Sequence, residues 1–265
     1  MIIIGERINA TRKSIAAALE ARNAKAIIKE VKDQAAAGAN YLDVNGGDPR
    51  QGREEENVAW LMDIVQAHCD LPVAVDSANP QAVRVGLSKA KNRPILNSIS
   101  LEDSRLGLLL PVLKEFDCRV VGLLMSDAGA PCGVEDRLKI AAALIEKFTA
   151  AGRKLDDIII DPAFLTISTD SMSGRLVIDA IAAIRKEWPK VHIGGGCSNV
   201  SFGLPKRRYI NLVLLAQAIY HGMDAGLIDP CQPDVMAVIY AAEAMAGRDE
   251  FCMNYVMAER EGRLK

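Results

Sequence analysis

The chain has 265 residues, 50% of them hydrophobic and only 5% aromatic, enough for one large core built on Ala, Val, Ile and Leu. Lys and Arg number 32 against 34 Asp and Glu, a net charge of −2, so the basic excess of a nucleic-acid binder is missing. No apolar run approaches the ~20 residues of a membrane span. The start, Met1-Ile2-Ile3-Ile4-Gly5-Glu6, lacks the basic region of a signal peptide, so a cytoplasmic protein is expected.

Eight short apolar runs alternate with helical patterns. The first is Ile2-Ile3-Ile4, leading into Gly5-Glu6-Arg7-Ile8-Asn9. A helix is predicted over 25–37, stopped by Gly38. The run 40–45 ends in Gly46-Gly47-Asp48-Pro49. A helix over 54–68 follows, with Glu54, Glu55 and Glu56 at the end where the helix dipole favours them. The run 72–76 precedes Asn79 and Pro80, an N-cap and first-turn pair. Further runs at 94–100, 119–125, 157–161, 191–193 and 224–229 are interleaved with helices over 101–116, 134–151, 173–188, 212–221 and 234–245, and a charged tail remains beyond Gly247. Eight strand-helix units at this spacing predict a single (β/α)8 barrel, the TIM-barrel architecture, with residues 1–265 as one domain; a doubly wound sheet is the alternative.

Barrel chemistry gathers at the carboxy-terminal ends of the strands. This chain puts Glu6, Asn9, Asp43, Asn45, Asp76, Ser77, Asn97, Ser98, Asp161, Asn199 and Asp229 there. Each taken alone also reads as a cap of the following helix. The seventh run enters Gly194-Gly195-Gly196-Cys197-Ser198-Asn199-Val200-Ser201-Phe202-Gly203, where absent Cβ atoms allow close approach of a ligand and Ser198 and Asn199 offer neutral hydrogen-bonding groups. The set holds carboxylates and carboxamides without a nucleophile–base pair, which argues against covalent catalysis. The six cysteines show no C-x-x-C spacing, and His68, His192 and His221 form no helical metal pair. No metal site is therefore expected, although Asp43, Asn45 and Asp48 keep a Mg²⁺ reading open. Cys197 reads as a packing residue. Acid and amide pairs suit the edge of a flat heterocycle, such as a pterin or purine, that presents adjacent N–H donors and ring acceptors.

These residues also carry a resemblance. Gly5-Glu6-Arg7-Ile8-Asn9, Leu42-Asp43-Val44-Asn45, Val75-Asp76-Ser77, Asn97-Ser98, Ile160-Asp161-Pro162 and Ser198-Asn199-Val200-Ser201-Phe202-Gly203 resemble, in order, the pterin-binding methyltransferases. That family includes the methyltetrahydrofolate:corrinoid/iron–sulfur protein methyltransferases and the folate domain of cobalamin-dependent methionine synthase. The resemblance implies transfer of a methyl group between N5 of tetrahydrofolate and a corrinoid cobalt, in either direction. It implies that Asp76, Asn97 and Asp161 hold the pterin ring, that Asn199 faces N5 as the catalytic group, and that Gly196, Ser198, Asp43 and Asn45 complete the pocket. Homocysteine and cobalamin domains and a cobalamin-ligating D-x-H-x-x-G segment are missing, so the corrinoid is expected on a separate protein. A homodimer is implied by the family, and the apolar stretch 212–219 reads as core or as the dimer face. Lys206, Arg207 and Arg208 read as solvated surface, with a folate glutamate tail or the partner as alternatives. Rival readings are a dihydropteroate synthase, whose basic strand-seven residue is missing here, a phosphate-cradling barrel enzyme, and a non-catalytic pterin-binding subunit.

Overall fold

The computed structural model describes residues 1–264. Eight parallel strands alternate with helices around a barrel, in the order β7-β6-β5-β4-β3-β2-β1-β8. The strands are β1 (Ile2–Asn9), β2 (Tyr41–Asn45), β3 (Val73–Asp76), β4 (Ile95–Ser100), β5 (Arg119–Leu123), β6 (Ile158–Asp161), β7 (His192–Ile193) and β8 (Ala225–Ile228). β7 is too short for a ladder with β8. The seam is spanned instead by the Asp224 amide on the Ile193 carbonyl (3.0 Å) and the Leu227 amide on the Gly195 carbonyl (3.1 Å). The expected α/β TIM barrel is thus the observed architecture.

The core has two parts because every strand is buried on both faces. Outward-facing residues such as Leu42, Val75, Leu96 and Ile160 join the helix faces in one large cluster. Inside the barrel, Ile4, Ala74, Ile95, Val121, Ile159 and Ala225 pack against one another and close the lower bore. Side chains alternate along a strand, so two residues further on the same inward face carries Glu6, Asp76, Asn97, Leu123 and Asp161. On β2 the inward series is Tyr41, Asp43, Asn45. The polar ring is the next layer of the bore, stacked directly on its apolar plug.

The helices are α1 (Lys13–Glu20), α2 (Ala24–Ala36), α3 (Arg53–His68), α4 (Pro80–Lys89), α5 (Asp103–Glu115), α6 (Val134–Ala150), α7 (Ser173–Glu187), α8 (Arg207–Tyr220), α9 (Pro233–Met245) and α10 (Met253–Arg260). Asn79 caps α4 as expected, accepting from the Gln81 amide at 3.0 Å. Three differences from the sequence reading stand out. A short helix, α1, buries Ile15, Ala18 and Leu19 where no element was predicted. The charged tail holds α10, of which only Ala258 is buried. And α8 begins at Arg207, not near 212, because Lys206 at φ 48° turns the chain directly into a helix.

Candidate functional site

The polar ring is built by strand register. Asp76 is paired with Asn97 across β3 and β4, and Asp43 with Ala74 across β2 and β3, so residues far apart in the chain become lateral neighbours. Asn97 donates to Asp43 Oδ1 at 3.1 Å, and Asn45 donates to Asp76 Oδ2 at 2.9 Å. Asn9 approaches the same Asp76 oxygen at 3.4 Å. Asp43 is 0% exposed, and its Oδ2 has no hydrogen-bond partner among the described residues. That orphaned oxygen marks a place where a proton or an incoming donor is wanted.

Asp161 completes the ring from β6. Its Oδ1 accepts the Ala163 amide at 2.9 Å. Arg137 on α6, 1% exposed, fixes the turn beyond it by donating to the Pro162 carbonyl (2.7 Å) and the Ala163 carbonyl (3.3 Å). The glycines after β7 have roles the sequence reading gave to a ligand. A Cβ on Gly194 would lie 2.0 Å from the Ala225 carbonyl oxygen, and one on Gly195 would lie 2.1 Å from Asp161 Oδ2. Two of the three glycines therefore admit the protein's own atoms, β8 and the Asp161 carboxylate. Only Gly196 is left facing the bore, with the Asn199 amide nitrogen 3.3 Å from where its Cβ would be.

Asn199 lies in a 3-10 turn, Cys197–Ser201, and is exposed above the ring. Its side chain makes no hydrogen bond among the described residues. Cys197 is buried and points down to Met223 Sδ at 3.6 Å, and burial drives its thiol pKa far up, consistent with a packing role. Arg207 reaches back to clamp the turn, donating to the Ser198 carbonyl at 2.6 Å and to Ser201 Oγ at 2.9 Å. Arg208 pairs with Asp234 at 2.5 Å. Lys206 and Arg208 are exposed, as the solvated-surface reading expected, while Arg207 is half-buried and structural.

Not every strand-end residue belongs to the ring. Asp229 is held by Arg7 (3.2 Å) and accepts the Cys231 amide (3.1 Å), so it braces β8 against β1. Ser77 donates to Glu54 at 2.5 Å and belongs to the α3–α4 junction.

Burial dominates the electrostatics. It raises the Asp161 carboxyl to about 6, against the pull of the Ala163 and Gly196 amides and of Arg137. It raises Glu6 to about 7, helped by Asp229 and opposed by Arg12 and Arg207. Asp43 is also raised, first by burial and then by Asp76 and Glu6; Asp76 is raised by burial against the Asn45 hydrogen bond. No Lys or Arg donates a hydrogen bond to any of these four among the described residues. A ring of acids without a hydrogen-bonded cation, with amides between them, matches a neutral, planar ligand rich in N–H groups. Beside it, a narrow cleft runs between the Ser198 turn, β8 and the starts of α8 and α9, lined by Glu6, Ser198, Asn211 and Gln232 over Leu215 and Leu227. Among the described residues no group of three or more His, Cys, Asp or Glu is placed to hold a metal ion, and no helix is long and apolar enough to cross a membrane.

The family model for pterin binding enzymes matches residues 5–229, which spans all eight strands and the whole ring. The chain belongs to the pterin-binding enzyme family. The methylcorrinoid:tetrahydrofolate methyltransferase of Eubacterium limosum is 33% identical over 266 aligned positions, covering 100% of this chain and 98% of that protein. The methionine synthase of Mycobacterium tuberculosis is 28% identical across 86% of the chain, which there spans only 20% of the relative's length. The 7,8-dihydropteroate synthase of Vibrio fischeri superposes with a TM-score of 0.72 at 15% identity, covering 93% of each chain; that likeness concerns the fold alone.

Proposed function

We propose that this chain is a methyltransferase that moves a methyl group between N5 of tetrahydrofolate and the cobalt of a corrinoid presented by a partner protein. The observation that carries the reading is the ring of Asp43, Asp76, Asn97 and Asp161, to which no Lys or Arg donates a hydrogen bond among the described residues, beneath an exposed Asn199. The full-length similarity to a methylcorrinoid:tetrahydrofolate methyltransferase supports the choice of reaction. Asp76, Asn97 and Asp161 hold the pterin edge, Asp43 and Asn45 fix those groups from behind, and Gly196 and Ser198 give the ring room at the β7 turn. Asn199 then faces N5 from the open side, where a corrinoid can approach. Exposed Tyr209, Val213 and Tyr220 on the outer face of α8, opposite its core residues Leu214, Leu215, Ala218 and Ile219, support the homodimer expected from the family.

Every methyl that leaves or reaches N5 is accompanied by one proton at that nitrogen. An amide is no proton source, so the part assigned to Asn199 is to orient toward N5 and stabilise its charge as bonding changes. One preorganised interaction of this kind is worth about 3–4 kcal/mol, on the order of 10²–10³ in rate. Mixing methylcobalamin, tetrahydrofolate and the protein tests the reading: the visible spectrum of the corrinoid is expected to change as the methyl is lost. Asn199→Ala is expected to slow that change by roughly 10²–10³ with a much smaller loss of folate affinity. Equal losses in rate and affinity would reject the role given to Asn199.

A further inference from the structure

Among the acids around the bore, Glu6 alone has neither a hydrogen bond nor an ion pair among the described residues. Asp43 is tied to Asn97, Asp76 to Asn45, Asp161 to the Ala163 amide and Asp229 to Arg7. Register explains where Glu6 lies. Gly5 pairs with Leu42 on one side and Ile228 on the other, so the next residue stands between Asp43 and Asp229 at the top of the bore. Its carboxyl opens into the cleft shared with Ser198, the neighbour of Asn199 in the 3-10 turn. An unpaired acid facing that cleft beside the Ser198–Asn199 turn has no structural task to perform.

We propose that Glu6 exchanges the proton that accompanies methyl transfer at N5, through water held in the cleft between it and the Ser198–Asn199 turn. The inference rests on the methyltransferase reading. In the direction that forms tetrahydrofolate, the N5–CH3 bond breaks and its carbon joins Co(I) to give methyl-Co(III). The N5 electron pair takes a proton from the Glu6 carboxyl, which solvent then restores. In reverse, N5 attacks the cobalt-bound methyl, Co(I) leaves with the bonding pair, and the proton shed by N5 goes to the Glu6 carboxylate. One group must hold a proton in one direction and lack it in the other, which calls for a proton affinity near the working pH.

The surroundings supply it. Burial and Asp229 raise Glu6 to about 7, while Arg12 and Arg207 keep it from rising further. Asp43 faces it from β2 and is itself raised, first by burial and then by Asp76 and Glu6. Cys197 beneath the turn stays a thiol, and Arg208 across the cleft is engaged by Asp234.

Single-turnover transfer by the full-length protein, followed in both directions from pH 5.5 to 8.5, tests this. Wild-type rates are expected to rise as pH falls through about 7 when tetrahydrofolate is formed. In the opposite direction they are expected to rise as pH climbs through the same value. Glu6→Gln is expected to lower both rates on the order of 10²-fold and to flatten both profiles, with the folate dissociation constant nearly unchanged and no loss of melting temperature. Glu6→Asp is expected to keep a displaced limb. A Glu6→Gln protein that retains the wild-type limb, or that loses rate and folate affinity in proportion, overturns the assignment while leaving methyl transfer intact. A wild type that moves no methyl between corrinoid and folate overturns the parent reading and this inference with it.

Discussion

The two ends of the barrel treat buried carboxylates in opposite ways. At the amino-terminal end, Asp157 accepts from Arg93 at 2.5 Å, and Asp224 is gripped by Arg185 and His192, both at 3.0 Å; these partners hold both acids below the ordinary carboxylate range. At the carboxy-terminal end, Asp43, Asp76 and Asp161 have amides and backbone for company, Glu6 has no hydrogen-bond partner among the described residues, and all four are raised. One strand, β6, carries both kinds, with Asp157 just before its start and Asp161 at its end. Where a charge braces the base it has been given a cation; at the rim these four acids have been left without a cationic hydrogen-bond partner. The contrast sorts the acids into two sets without reference to any relative, and under the proposed function the uncompensated set is the one that binds.

Two substitutions test the contrast from its two ends. The larger effect is expected at the base. Arg185 donates to the Gly222, Pro189 and Val191 carbonyls as well as pairing with Asp224, so Arg185→Ala leaves several buried acceptors and one acid uncompensated. A loss of about 3 kcal/mol in denaturant unfolding is expected, with folate affinity of the folded protein unchanged. At the rim, Asp161→Asn removes a charge that burial disfavours, so stability is expected to hold or rise. Folate affinity, measured by calorimetry, is expected to fall by about 1.5–3 kcal/mol, roughly 10- to 100-fold, as charge-assisted hydrogen bonds become neutral ones. If Asp161→Asn melts early and still binds folate, the acid is structural and the contrast collapses.

Much of this was legible before any coordinates. Eight apolar runs with polar ends defined the barrel, because strands buried on both faces read as continuous hydrophobic stretches. The same polar ends named Asp43, Asn45, Asp76, Asn97 and Asp161. What the sequence hides is lateral. The Asn97–Asp43 bond joins residues 54 apart, and nothing in either neighbourhood announces it. Glu6 was noted as a strand-end acid but not as a site residue, since a sequence does not show which acid is left unpaired; in the fold even the neighbouring Arg7 points away to Glu30 and Asp229. Arg137 was invisible as well, since one basic residue in an amphipathic helix normally faces solvent, whereas here it caps the carbonyls beneath Asp161. Helix α1 escaped because eight residues show barely two turns of periodicity.

Acidity acts on the two ends with opposite sign. Glu6 and Asp161 have raised folded values, so their protonated forms favour the fold. That contribution is complete below about pH 4, where the unfolded groups titrate, and is lost as pH rises through about 6 for Asp161 and about 7 for Glu6. Asp157 and Asp224 are lowered, so their contribution is present above the unfolded values and is lost as pH falls further. Ligand-free protein is therefore expected to lose stability between pH 5 and 8, on the order of 1–3 kcal/mol from Glu6 alone. Glu6→Gln is expected to flatten that slope while leaving the acid-side loss in place. An unfolding profile that rises steadily from pH 5 to 8 would show the rim acids to be paired after all.

The smallest effect concerns a residue that the contrast must classify correctly to be of use. Asn79 follows β3 three residues after Asp76, and on position alone it belongs with the rim. Its atoms are all committed elsewhere. Oδ1 accepts the Gln81 amide at 3.0 Å, Nδ2 donates to Glu55 at 2.9 Å, and its own amide donates to Ser77 Oγ at 2.9 Å. Satisfied groups have nothing left to offer a ligand, so Asn79 is a helix cap and no more. Asn79→Ala is expected to cost about 1 kcal/mol of stability and nothing in folate affinity. A measurable weakening of folate binding by that substitution would mean that saturation by the protein's own atoms does not mark a residue as structural, and the sorting of Asp229 and Ser77 away from the site would fall with it.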